Sequence, residues 1–156
     1  MPMRLLTLLL AGSLAGSLAS PVLAGERGQF RIGAGPAEEL DDEWSHVVQV
    51  SWLTASRHPW EFGLGYIGQR DPDGRAQVPD AFYLSVSKRL TWRGWFLSSG
   101  VAWVDEDNDV LSGHGQFLTG IGYEFGRWAI SVRHLSNAST GGRNRGETFA
   151  LVEVGF

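Results

Sequence analysis

From about residue 27 onward the side chains alternate between two chemistries with a period of two, which is the signature of β-strands. Phe30, Ile32 and Ala34 are interleaved with Gln29, Arg31 and Gly33. His46, Val48, Val50 and Trp52 are interleaved with Val47, Gln49 and Ser51. The pattern returns with Trp60, Phe62, Leu64 and Tyr66 against Glu61, Gly63 and Gly65, and with Phe82, Leu84, Val86 and Leu90 against Ala81, Tyr83, Ser85, Ser87 and Arg89. Trp95, Leu97, Val101 and Trp103 alternate with Ser98, Gly100 and Ala102; Phe117, Thr119, Ile121, Tyr123 and Phe125 with Gln116, Gly120, Gly122 and Glu124. Trp128, Ile130, Val132 and His134 alternate with Arg127, Ala129, Ser131 and Arg133, and a last run, 147–156, ends on Phe156. Residues 35–43, 69–79, 105–113 and 135–146 read as long polar loops. The other connections are short turns, such as Thr91-Trp92-Arg93-Gly94.

Eight such strands can bury either face. In a soluble sandwich or a lipocalin-like barrel the bulky face would turn inward, and the Gly-rich face would have no purpose. Glycine, alanine and serine instead suit the narrow interior of an eight-stranded barrel. Arg31, Glu61, Arg89, Glu124, Arg127, Arg133 and Glu153 share that face and can pair inside it. The bulky face then meets lipid, with tryptophan and tyrosine near the interfaces. Closure leaves no strand edge, as a bilayer demands. The expected fold class is therefore all-β: an eight-stranded antiparallel transmembrane β-barrel. An even strand number puts both chain ends on the periplasmic side and the four long loops outside. The chain has no cysteine, so neither disulfides nor thiolate metal sites are available.

Residues 1–24 read as a secretory signal peptide: Arg4 is followed by an apolar run to Leu18, and Val22-Leu23-Ala24 precedes the cut. The barrel is assigned to 25–156. Without Arg4 it holds 12 of the 13 Lys and Arg against 17 Asp and Glu, a formal charge of −5. There is no basic stripe, which argues against nucleic acid.

The chemistry gathers at the end of the seventh strand. Arg133-His134-Leu135-Ser136-Asn137-Ala138 supplies a base, a hydroxyl and an amide, and Glu147 opens the eighth strand. A hydroxyl, an imidazole and a carboxylate are the parts of a serine esterase. His134 shares the lipid-facing parity of Ile130 and Val132, and Ser136 continues it if the strand runs two residues further. Alternate residues on a strand stand roughly 6.5 Å apart, within side-chain reach. A site there opens into the membrane and selects a lipid substrate.

His134-Leu135-Ser136-Asn137-Ala138, followed by Asn144-Arg145-Gly146-Glu147-Thr148, resembles the PagL family of lipid A 3-O-deacylases. The resemblance implies an outer-membrane barrel that hydrolyses the ester-linked 3-hydroxyacyl chain at position 3 of lipid A, with no cofactor. It implies Ser136 as nucleophile, His134 as base, Glu147 as the residue that fixes the imidazole and Asn137 at the oxyanion. Arg143 and Arg145 are candidates for the lipid A phosphates and His46 for a further substrate contact; a homodimer stays open. Two departures stand out. The His-to-Glu spacing is one residue shorter than the family pattern. Counted back from Phe156, Glu147 also falls on the inward parity, so reaching His134 takes a bulge or a non-ideal first residue of the strand.

The alternatives are a non-catalytic barrel for adhesion or membrane integrity, and another outer-membrane esterase, phospholipase or acyltransferase. No Gly-x-Ser-x-Gly elbow occurs. The acidic run from Asp105 to Asp109 lacks the glycine and distal glutamate of a calcium loop. His58 and His114 read as solvated turn and loop residues.

Overall fold

A computed structural model of the chain describes residues 28–40, 43–71, 78–108, 110–140 and 145–156. The expected leader, 1–24, and Arg143 lie outside the described residues. Eight strands follow in chain order: β1 (Gln29–Leu40), β2 (Glu43–Leu53), β3 (Trp60–Ile67), β4 (Ala81–Trp92), β5 (Trp95–Val104), β6 (Gly115–Phe125), β7 (Trp128–Ser136) and β8 (Glu147–Gly155). Each pairs antiparallel with the next, and β8 returns to β1, closing the barrel. One end carries the short turns and both ends of the barrel chain. Arg93 and Gly94 form a two-residue turn, at φ 49° and 86°, the pair of positive values that a type I′ turn needs. The other end carries the three longest connections and the short junction between β1 and β2.

The face assignment follows the alternation. All seven tryptophans lie outside. Trp52, Trp60, Trp92, Trp95 and Trp128 ring the turn end with Phe30, Phe125 and Phe156; Trp44 and Trp103 stand toward the loop end with Phe82 and Phe117. Between the rings the wall is Val, Leu and Ile. Two aromatic girdles around an apolar band are the profile of a barrel that spans a bilayer. Ile121, exposed near the middle of β6 between Leu97 and Val132, shows what the band requires. Ile121→Arg is expected to cost about 2–4 kcal/mol in reversible unfolding from lipid bilayers, against nearly nothing at a girdle position.

The interior has two storeys. Toward the turn end, Arg89 grips Glu61 through Nε and Nη2 at 2.7 and 2.9 Å and reaches Glu153 at 3.1 Å and Glu124 at 3.0 Å. Arg133 Nη2 donates to Glu61 at 2.9 Å and to Glu153 at 2.8 Å, and Arg31 pairs with Glu124 at 3.2 Å. Tyr83 and Gln49 cap this network, the Tyr83 hydroxyl donating to Gln49 Oε1 at 2.7 Å. Toward the loop end Val47, Ile67, Val104, Leu118, Leu135, Phe149 and Leu151 are enclosed beside a buried Arg70–Glu147 pair. The small residues of the inner face make room for these bodies: a Cβ on Gly65 would stand 2.1 Å from the Tyr83 ring.

Three details differ from the sequence reading. Most of 35–43 is strand, because β1 pairs with β2 as far as Leu40 and Glu43. Pro36 is tolerated there because the β1–β8 ladder is interrupted between Ala34 and Ala37, so its missing N–H removes no bond. Arg127 is not an interior charge: it sits in the turn before β7, its guanidinium over the Trp128 ring. β7 continues through Ser136, which puts Leu135 and Ser136 in strand rather than loop.

Candidate active site

β6, β7 and β8 present the site on the outer wall at the loop end. The β6 and β8 neighbours of His134 are Thr119 and Thr148. Directly opposed side chains of adjacent strands lie within contact distance, and the imidazole uses one of these. His134 Nδ1 and Thr148 Oγ1 are 3.0 Å apart. Ser136, two residues on, holds the same outward parity, and its Oγ accepts the Ala138 N–H at 3.2 Å. Among the described residues the Ser136 hydroxyl and the imidazole are not bonded to each other. Pairs of this kind are often loose without substrate and tighten when it binds.

The other edge of the imidazole faces Gly146. A Cβ there would meet His134 Cε1 at 2.6 Å and Nε2 at 2.8 Å, and the Leu135 carbonyl oxygen at 2.6 Å. The φ of Gly146 is +74°, the left-handed region where other residues are strained. Both constraints demand glycine. Gly146→Ala should push the imidazole from its seat, with activity falling about 100-fold, the cost of roughly 1 Å of misplacement. Turnover per folded molecule, with folding scored by heat-modifiable migration, checks this.

Asn137 is buried and holds the loop that follows Ser136. Its Nδ2 donates to the Ser112 carbonyl at 2.6 Å, and its Oδ1 accepts the Ser139 N–H at 2.8 Å. Its own carbonyl accepts the Thr140 hydroxyl at 2.7 Å. The turn so fixed is unusual. Ala138 and Ser139 both have positive φ, 52° and 61°, and Arg93 is the other such non-glycine residue among those described. Consecutive strained residues beside a hydroxyl are a recurring companion of functional sites.

Glu147 stands on the inner face. It pairs with Leu135, not with His134, and both are buried. The ladder runs without a shift from Trp128↔Val154 to Leu135↔Glu147, so no bulge turns it outward. Its carboxylate instead receives both terminal nitrogens of Arg70, Nη1 at 3.0 Å and Nη2 at 2.5 Å. Arg70 lies beyond β3, held by paired backbone bonds to Val78. Two buried, oppositely charged groups satisfy each other better here than a carboxylate turned toward lipid could. Thr148 and Arg70 escaped the sequence reading. The parity count that sent Glu147 inward is the signal that sends Thr148 outward; nothing local points to Arg70, 77 residues away.

His46 is on the outer wall of β2, opposite Pro36 of β1, with its ring 5.9 Å from that of Tyr66. Three strand spacings separate it from His134, roughly 14 Å round the wall. Arg145 is exposed beside Gly146. The acidic run folds its own loop: Asp105 accepts the Phe82 N–H, Asp107 the Gly113 N–H, and Asn108 those of Val110 and Leu111. His58 and His114 likewise serve local contacts, with the Thr91 N–H and the Val104 carbonyl.

Comparison with curated proteins and with solved structures returned no match. The family model described as "Lipid A 3-O-deacylase (PagL)" matches residues 40–156, which take in the strands from β2 to β8 and the whole outward site. An all-β barrel closed by eight antiparallel strands, with His134 and Ser136 on its outer wall, is thus matched over most of its length, and the chain belongs to the PagL family of lipid A 3-O-deacylases.

Proposed function

We propose that the protein hydrolyses the ester that joins a 3-hydroxyacyl chain to position 3 of lipid A, with Ser136 as nucleophile and His134 as general base. The observation that carries this reading is the shared outward parity of His134 and Ser136 at the loop end of a lipid-facing wall, in a chain of the deacylase family. We read the loop end as the outer surface of the outer membrane, where lipid A resides. There the wall meets the acyl chains of the outer leaflet while the loops meet the sugar and phosphates.

In the reaction, His134 Nε2 takes the Ser136 proton as Oγ attacks the acyl carbonyl. The tetrahedral oxyanion falls to the strained turn that follows Ser136. Asn137 contributes there by fixing the turn, since its side-chain amide is engaged with the Ser112 carbonyl and the Ser139 N–H. The C–O bond to the sugar breaks, the sugar oxygen takes the proton from the imidazolium, and the deacylated lipid departs. Water then adds to the acyl-enzyme with His134 again as base, releasing the 3-hydroxy fatty acid and restoring Ser136. A single oxyanion donor is worth roughly 2.7–4 kcal/mol of barrier. Glu147 acts at one remove: its ion pair with Arg70 anchors the first residue of β8 and so the wall beside His134. Arg145, with Arg143, is assigned to the phosphates, where a guanidinium fork gives paired hydrogen bonds. His46 is assigned to a neighbouring part of the same large substrate rather than to the reacting ester.

Mass spectrometry of lipid A from cells expressing the protein tests the reaction. The expected product has lost one 3-hydroxyacyl chain. Release of fatty acid from glycerophospholipid instead would make the protein a phospholipase, and a heavier lipid A would make it an acyltransferase. Unaltered lipids alongside a folded barrel would favour a structural role.

A further inference from the structure

The outer wall around the imidazole holds no carboxylate among the described residues. Its neighbours across the sheet are Thr119 and Thr148, and Gly146 closes its far edge. Glu147 is on the other side of the sheet, held by Arg70. Yet the role usually filled by an acid does not strictly need a charge. A base at Nε2 needs its proton on Nδ1 and its ring fixed, and an oxygen acceptor beside Nδ1 does both.

We propose that Thr148 is the positioning residue of this site: its Oγ1 accepts the Nδ1–H of His134, fixing the tautomer whose unprotonated Nε2 serves as the base, and the site is a Ser–His–Thr arrangement in place of Ser–His–Glu. The 3.0 Å contact and the direct cross-strand pairing of the two residues support it. A neutral oxygen holds the ring but supplies no charge to the imidazolium that forms, so this enzyme relies on position alone.

The inference rests on the Ser136–His134 reading, and the experiment separates the two. Full-length wild type, Ser136→Ala, Thr148→Val, Thr148→Ser, Thr148→Asp and Glu147→Gln are assayed on lipid A in mixed micelles, with folding scored by heat-modifiable migration. Thr148→Val keeps shape and loses the oxygen; kcat should fall at least about 10-fold with KM within about twofold. Thr148→Ser should recover to within about threefold of wild type. Thr148→Asp puts a charge beside the ring and should move the acidic limb of the pH–rate profile upward by about one unit, which a merely structural residue would not do. The proposal is overturned if Ser136→Ala is inactive while folded Thr148→Val turns over like wild type. It is also overturned if folded Glu147→Gln loses more turnover than Thr148→Val. If Thr148→Val does not fold, an unmoved acidic limb in Thr148→Asp overturns it. An active Ser136→Ala removes the nucleophile and this inference together.

Discussion

Ser136→Ala is expected to leave lipid A at its full mass in cells where the wild-type protein removes one 3-hydroxyacyl chain. The loss should be at least about 10³-fold in kcat, because without a hydroxyl there is no acyl-enzyme and a positioned base has nothing to deprotonate. The Ser136 side chain lies on the outer wall, outside the packed core, where its Oγ accepts the Ala138 N–H. The variant should therefore insert and migrate as a folded barrel, with KM little altered. Lipid A mass spectra from the two strains, with equal amounts of folded protein, decide the matter. Deacylation by Ser136→Ala at the wild-type rate would place the nucleophile elsewhere.

The second large effect concerns the barrel itself. Arg133→Ala removes a fully buried guanidinium that donates to both Glu61 and Glu153. Arg89 alone then faces two enclosed carboxylates with one lining shared between them. Taking one partner from a buried ionic cluster typically costs about 3–5 kcal/mol, since the remaining charge has neither water nor a counter-ion. Urea titration in detergent or bilayers should show that loss as an earlier midpoint. Exchanging the whole cluster for apolar side chains of matching volume should be far milder, because no unpaired charge is left behind. Arg133 sits one residue before His134, yet it faces the opposite way. Its loss should therefore lower stability and leave the chemistry of the remaining folded molecules within a few-fold.

The alternation of Trp, Leu, Val and Phe with Gly, Ser and charged residues was enough to read the strands, their faces and the closed barrel. Each strand carries that information locally. Long-range pairing was not legible. Residues 35–40 look like a polar loop, and the backbone of β2, with β8 at Ala37, makes them strand. The site divides in the same way. His134 and Ser136 sit two apart on one strand, so their shared face follows from period two alone. The partner of the imidazole depends on the register between β7 and β8 and on the hold of Arg70 on Glu147. Both are tertiary facts: a residue 77 positions away takes the carboxylate, and the ladder sets a threonine beside the ring. The inward parity of Glu147 was visible in the sequence as a mismatch, and the mismatch marked the place where local pattern and family expectation part.

The proposed pair, mounted on the outside of the wall, also sets the kind of solution in which the reaction would run. Under the proposed reaction the glycolipid arrives by lateral diffusion within the leaflet, so the concentration that governs turnover is a mole fraction per unit area, and inert lipid dilutes the substrate where added buffer does not. Water, the other reactant, can come only from the loop side, because the apolar band below is closed to it. The two half-reactions thus draw on two different phases that meet at one ring of side chains. The height of that ring relative to the headgroups becomes a rate-determining coordinate, which bilayer thickness and the girdle tryptophans adjust together.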